Sequence, residues 1–463
     1  MELLLFKGHL RDCDRMSVLH SLISVNHSHR NATRSVVPAV LDSATDSFAL
    51  FLVQSHFRMT PSTKANLAAY SRDLRLDIVL GIANWSILLD HIPNNVVSLL
   101  TPRNFGFSSA ADLFFFTAGY AAAMLYGKMA VERGLLVAVT RIFKRVWQVY
   151  AAYVVLFVIY IDIIGSVAAQ YAAPDIIDEY RVIGIVDDPT RTLLDGLLLK
   201  AIPLNLDGLQ LFIVLMGAFP PVFAALLRWP NLTMAGSLVL YFAARQFDLH
   251  PWTVAEGQWF FNPFCWQVLF VFGAWLALEG TRRMRALQEI AVLRQLALAY
   301  LLFALLMAMA AKMPLLGTLL PDVVVSPFTQ DGRENLSPYR VLHLLALVFI
   351  ASRWVPPDWA GLRSSAMQPL LKCGVEWLPC FCVGVFLSFA GHFVLITNSN
   401  SLSVQVLVSV ASVAMMTTVA YYVSWSRKQD HMPTRAAETA TIALKQWPRD
   451  IVGRTPQTEP SHH

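Results

Sequence analysis

In LLDHIPNN (residues 88–95), an adjacent Asp90 and His91, then a proline and two asparagines, close a run of about fifteen residues that otherwise reads as membrane-embedded. Ending an apolar segment on two titratable side chains is costly. It marks His91 as a candidate for proton transfer, with Asp90 as its acidic neighbour. Asp77, Asn84 and His91 recur every seven residues. At about 100° per residue they return to nearly one helical face, in steps of about 10 Å along the axis. Asp77 and His91 are then too far apart to bond, and Asp90 lies off that face.

The elements that must carry these residues follow from composition. Of 463 residues, 56% are hydrophobic and only 14% charged, and the mean hydropathy is +0.51. A soluble domain of this length needs far more polar surface, so the chain reads as an all-α polytopic membrane protein. The apolar runs are long and lack period-2 alternation, which excludes a barrel. Candidate spans centre near Ile82, Thr117, Val155, Val214, Leu240, Leu269, Leu302, Leu345, Val385 and Val410, or about ten transmembrane helices.

Lysine and arginine gather in alternate loops: Lys128, Arg133, Arg141, Lys144 and Arg145, then Arg282, Arg283, Arg285 and Arg294, then Arg353, Arg363 and Lys372. The loop from Gly165 to Asn205 is net acidic. A ten-span count puts every basic cluster on one side, which predicts cytoplasmic N- and C-termini. The net charge of +5 is then topology, not nucleic-acid binding.

Residues 1–70 read as a polar N-terminal extension, a flexible arm with histidines His20, His27 and His29 that is expected to be disordered, and MTPSTKANLAAY from Met59 resembles a natural start. Residues 71–426 form the membrane domain, and 427–463 a disordered cytoplasmic tail. Cys380-Phe-Cys382 is not a usual zinc spacing, and no metal site is expected.

With this orientation, polar and aromatic residues collect at the outer ends of spans. They include Arg103, Asn104 and Asp112, then Asn205 and Asp207 in PLNLDGL, and Trp252, Glu256, Trp259 and Asn262 in WTVAEGQWFFNPFCW. Arg340, His343 and His392 complete the set. Convergence on one membrane face predicts a site open to the outside. Each residue also has a plainer role: an interfacial aromatic belt for the tryptophans, a helix cap for Asn205 and Asp207, helix packing for His343 and His392. On the inner side Arg141 and Arg145 are four apart and suit a phosphate or carboxylate, or an ordinary positive-inside cluster.

The stretch RDLRLDIVLGIANWSILLDHIPNNVVSLLTPRNFGFSSAADLFFFTAGYAAAMLYG resembles the opening of the OpgC-type membrane proteins, related to the wider type 3 membrane acyltransferases. The similarity continues in IPLNLDGLQLFIVLMGAFP, WFFNPFCWQVLFVFGAWLAL, YRVLHLLAL and LLKCGVEWLPCFCVGVFLSFAGHFVL, covering roughly residues 71 to 425. The resemblance implies an acyltransferase of a bacterial inner membrane, with no bound cofactor, that carries an acyl group from cytoplasmic acyl-CoA, expected to be succinyl-CoA, to hydroxyls of a periplasmic glucan. Glucan-synthesis proteins are implied partners.

His91 matches the family's expected catalytic base. Arg141 and Arg145 match its basic motif for the CoA phosphates. Asp90 would orient or activate the ring, Asn84 would bond the acyl donor, and Arg340 would stabilise the oxyanion or hold a succinyl carboxylate. Two positions depart from the family pattern. Leu80 replaces an arginine usually found eleven positions before the histidine, and Ala118-Gly119 replaces a Ser-Gly pair. Arg75 or Arg141 is then expected to substitute for the missing charge. Acetylation of another surface polysaccharide, and a silent or transport-type membrane protein, are the competing readings.

Overall fold

The computed structural model describes residues 72–430 except 171–179, 181–187, 202, 252–258, 399 and most of 314–331, together with Lys64 and Leu67. The chain divides into two units, Met1–Arg58 and Met59–His463, and every described residue belongs to the second. The N-terminal histidines, the proposed start at Met59, the tail beyond 430, and Trp252 and Glu256 all lie outside the described residues.

Among the described residues all regular structure is helical. The order begins α1 (Leu74–Asp90), α2 (Ala110–Arg133), α3 (Leu135–Gln170), α4 (Pro189–Leu197), α5 (Asp207–Arg228) and α6 (Pro230–Gln246). It continues with α7 (Pro263–Trp275), α8 (Thr281–Gln288), α9 (Ala291–Ala310) and α10 (Pro338–Trp354), then α11 (Gln368–Val375), α12 (Trp377–Thr397) and α13 (Leu402–Asp430). Two 3-10 turns, Val96–Leu100 and Pro102–Asn104, bridge α1 to α2, and a π turn at Leu276–Gly280 joins α7 to α8.

A helix covers each of the expected span centres. By length and apolarity, six helices among the described residues can cross a membrane: α3, α5, α7 continued to Gln288, α9, α12 and α13. The others fall short for visible reasons. Helices α1, α6 and α10 have 17 residues each, about 26 Å at 1.5 Å per residue against a hydrocarbon core of about 30 Å. The apolar run of α2 is interrupted by Asp112, Thr117, Gly119 and Tyr120. Helix α13 continues to Asp430, past the expected edge of the membrane domain at Ser426.

Helix α7 lies against α2, α11 against α1, and α3 against α5. Two of these contacts are backbone to backbone. A Cβ on Gly119 of α2 would collide with the Phe270 carbonyl of α7, and one on Gly273 of α7 with the Phe116 carbonyl of α2. The same reciprocity joins Gly81 of α1 to the Leu370 carbonyl and Gly374 of α11 to the Asp77 carbonyl. Small residues let helices approach this closely where lipid supplies no hydrophobic drive between them. In contrast, α9 and α13 are mostly uncovered, with Leu302 and Leu407 exposed, as suits an apolar solvent.

Candidate functional site

The C-terminal end of α1, the 3-10 turns, and the N-terminal ends of α2 and α5 meet around a cavity of about 180 Å³. Asp90, His91, Arg103, Asn205, Asp207 and Arg333 line it. Its apolar wall includes Phe114, Phe260, Phe261 and Phe381. Pockets that bury a whole ligand run to about 300–1,000 Å³. This one is smaller than that.

Pro93 cannot continue α1, and the helix stops at Asp90 with His91 as its cap residue, at φ −95° and ψ 4°. The His91 backbone N–H donates to the Ile87 carbonyl at 3.1 Å, and ring Nδ1 lies 2.6 Å from the same oxygen. A carbonyl only accepts, so Nδ1 carries the proton and the lone pair of the neutral ring sits on Nε2. The partner that orients the ring is therefore backbone. Asp90 is engaged elsewhere: its Oδ1 accepts from Thr101 Oγ1 at 2.7 Å and pairs with Arg103 Nε at 3.2 Å. It secures the 3-10 turn that holds Arg103 at the cavity.

Asn104 does not line the cavity. Its Nδ2 donates to the Ser98 carbonyl at 2.5 Å and to Thr101 Oγ1 at 3.1 Å, and its Oδ1 accepts from Lys312. It knits the two 3-10 turns together. Asn205 adopts left-handed backbone, φ 74°, and its Nδ2 donates to the Tyr160 hydroxyl at 3.0 Å. Asp207 opens α5, and its Oδ1 accepts from Gly208 N–H at 2.9 Å.

A second charged cluster lies beside this one and is sealed. Asp112 is 0% exposed and Arg340 5%. Arg340 Nη2 donates to Asp112 Oδ2 at 2.6 Å, an oxygen that also accepts from Ser109 N–H and Oγ, both at 2.7 Å. Ser108 N–H points at Nδ1 of the buried His343 at 3.2 Å, so this ring accepts through Nδ1, the opposite tautomer to His91. Its Nε2 edge abuts Gly106, where a Cβ would collide with the ring.

Of the other residues expected at outer span ends, Asn262 caps α7 by accepting from Phe264 N–H at 3.0 Å, Trp259 is buried, and His392 Nδ1 lies 2.8 Å from the Tyr180 hydroxyl. None of the three lines the cavity.

Deeper, Asn84 is buried and donates to the Leu80 carbonyl at 3.1 Å and the Cys373 carbonyl at 3.4 Å, fastening α1 to α11. Leu80 is buried too. Arg75 is occupied by Asp73, at 2.6 Å, and by the Val355 carbonyl, at 2.9 Å. Arg141 is exposed, whereas Arg145 lies over the Trp377 ring at 5.0 Å. Trp377 meets Phe114 edge-on at 5.2 Å, and Phe114 belongs to the cavity wall. An aromatic chain thus leads from the cavity to Arg145. Arg333 entered no sequence-based site; its signal was the charged turn Gly332-Arg333-Glu334-Asn335 just before Pro338 opens α10.

No curated protein and no solved structure matches the chain. Residues 72–428 match the family model described as OpgC protein. This all-helical membrane chain therefore belongs to the OpgC protein family, which is associated with transfer of succinyl groups to glucans.

Proposed function

We propose that the protein is an integral membrane O-acyltransferase that moves a succinyl group from cytoplasmic succinyl-CoA to hydroxyls of a periplasmic glucan. In this reading about ten helices span a bacterial inner membrane, with both termini cytoplasmic. The cavity at the end of α1 then opens to the periplasm. Family membership supports the acyl-transfer class. The single observation that carries the mechanism is the 2.6 Å approach of His91 Nδ1 to the Ile87 carbonyl, which leaves Nε2 as the acceptor of a cavity-lining ring.

A sugar hydroxyl is a poor nucleophile near neutral pH. His91 Nε2 takes its proton as the oxygen attacks the thioester carbonyl carbon. The new C–O bond forms, the C–S bond breaks, and the departing thiolate recovers the proton from the imidazolium. The Ile87 carbonyl stabilises that imidazolium through Nδ1–H. Arg103, fixed by Asp90, supplies positive charge to the developing oxyanion, a role that Arg340 in its pair with Asp112 is poorly placed to fill. Arg145 and the aromatic chain through Trp377 suit the donor's approach from the inner side, and they offset the absence of an arginine at Leu80.

The test is complementation of a strain lacking the gene, with the glucan purified and weighed by mass spectrometry. The native chain should restore succinyl groups, and His91→Ala should insert at native abundance yet restore none. Succinyl content retained in that variant would overturn the mechanism. Acetyl in place of succinyl would reassign the donor.

A further inference from the structure

The turn Gly332–Leu336 is clamped on every side. Tyr241 OH donates to the Leu336 carbonyl at 2.6 Å, and Arg245 Nη1 to the Asn335 carbonyl at 2.6 Å. Trp266 Nε1 donates to the Arg333 carbonyl at 2.8 Å. Asn262 contributes twice, from its backbone N–H to the Glu334 carbonyl at 3.0 Å and from Nδ2 to Asn335 Oδ1 at 2.8 Å. Each carbonyl from 333 to 336 is fixed by a donor from α6, α7 or the α7 cap.

The backbone is strained in return: Leu336 sits at φ 45°, a left-handed conformation that a leucine rarely adopts. Strain of this kind persists only where surrounding bonds over-determine it, and it concentrates at ligand clamps. A mere link between helices needs no such fixing. What the turn presents is Arg333, half-exposed, lining the cavity with its guanidinium 5.9 Å from the Phe260 ring.

The cavity therefore holds two guanidinium groups in different settings. Arg103 comes from the 3-10 turn after α1 and pairs with Asp90 at 3.2 Å, and Arg333, whose charge acts on the same carboxylate, arrives from a rigid turn on a separate part of the fold. A forked, permanently charged donor held in place is the group that recognises a carboxylate. We propose that Arg333 selects the acyl group, binding the terminal carboxylate of a dicarboxylic acyl donor while the thioester carbonyl lies at His91. This rests on the acyltransferase reading above and adds what distinguishes a succinyl donor from a neutral one of the same chemistry. Asn262 and Trp266 become positioning residues, acting through the turn.

The experiment is a competition. Full-length protein in membranes is given glucan with equal succinyl-CoA and acetyl-CoA, and the two esters are counted by mass spectrometry. The native chain should favour succinyl strongly. Arg333→Gln should cut the succinyl-to-acetyl ratio by about tenfold or more, through KM for succinyl-CoA, with acetyl transfer retained. Arg333→Lys, which keeps the charge and loses the fork, should fall between, and it decides the matter if the glutamine variant does not accumulate. An unchanged ratio with transfer intact overturns the role of Arg333 and leaves the transferase standing. No transfer of either group by the native chain defeats the transferase reading instead.

Discussion

Two neighbouring clusters hold the same three residue types, His91 with Asp90 and Arg103, and His343 with Asp112 and Arg340. Their difference is protonation geometry and exposure. His91 donates a hydrogen bond from Nδ1 to a backbone carbonyl, which leaves Nε2 as the acceptor of a ring that lines the cavity. His343 spends Nδ1 accepting Ser108 N–H, and its other edge is stopped by Gly106. Asp90 lines a cavity, whereas Asp112 is fully buried. An acid, a base and a guanidinium make a reactive site only where the acceptor nitrogen is left for a substrate. Sealed, the same inventory holds helices together.

The largest expected effect separates the two histidines. His91→Ala should lower acyl transfer by about 10²–10⁴-fold, the usual worth of a positioned base. His343→Ala should keep transfer within about tenfold per folded molecule, since it removes no proton-transfer group. Equal losses, measured as turnover of purified protein, would break the comparison. Next come the two aspartates. Asp112→Ala strands Arg340 in a dry setting and should cost about 3–5 kcal/mol in stability, read from unfolding in detergent. Asp90→Ala leaves a more accessible arginine and should destabilise less while slowing catalysis more. The smallest effect belongs to Thr101→Val, which removes the 2.7 Å bond to Asp90 and the 3.1 Å bond from Asn104; about 1–2 kcal/mol and a modest drop in rate are expected.

The helices were legible because apolar runs long enough to span a bilayer allow little else, and each run proved helical. His91 was legible for the same reason, as a costly residue at the end of such a run. Its tautomer was not, because that depends on how the cap folds back onto Ile87. The sequence also grouped Arg340, His343 and Asn262 at one expected membrane face without saying which charges cancel. Asp112 and Arg340 are 228 residues apart, and only the fold pairs them. The block LLKCGVEWLPCFCVGV holds two helices, parted at Glu376, which pairs with Arg427 of α13 at 2.7 Å, a break its run of apolar residues did not announce. Arg333 escaped notice because a mixed-charge turn resembles any solvated loop until its carbonyls are seen to be tied.

The reciprocal glycine contacts have a consequence for motion. Where α2 meets α7 and α1 meets α11, carbonyls sit where side chains would otherwise stand off, so these staves cannot slide past one another without steric penalty. In the proposed reaction, room for a bulky carbohydrate is then expected from the short hoops beside them, chiefly the pair of 3-10 turns tied by Asn104 and Thr101. A cysteine cross-link within those hoops should halt turnover, while one between α2 and α7 should leave it running.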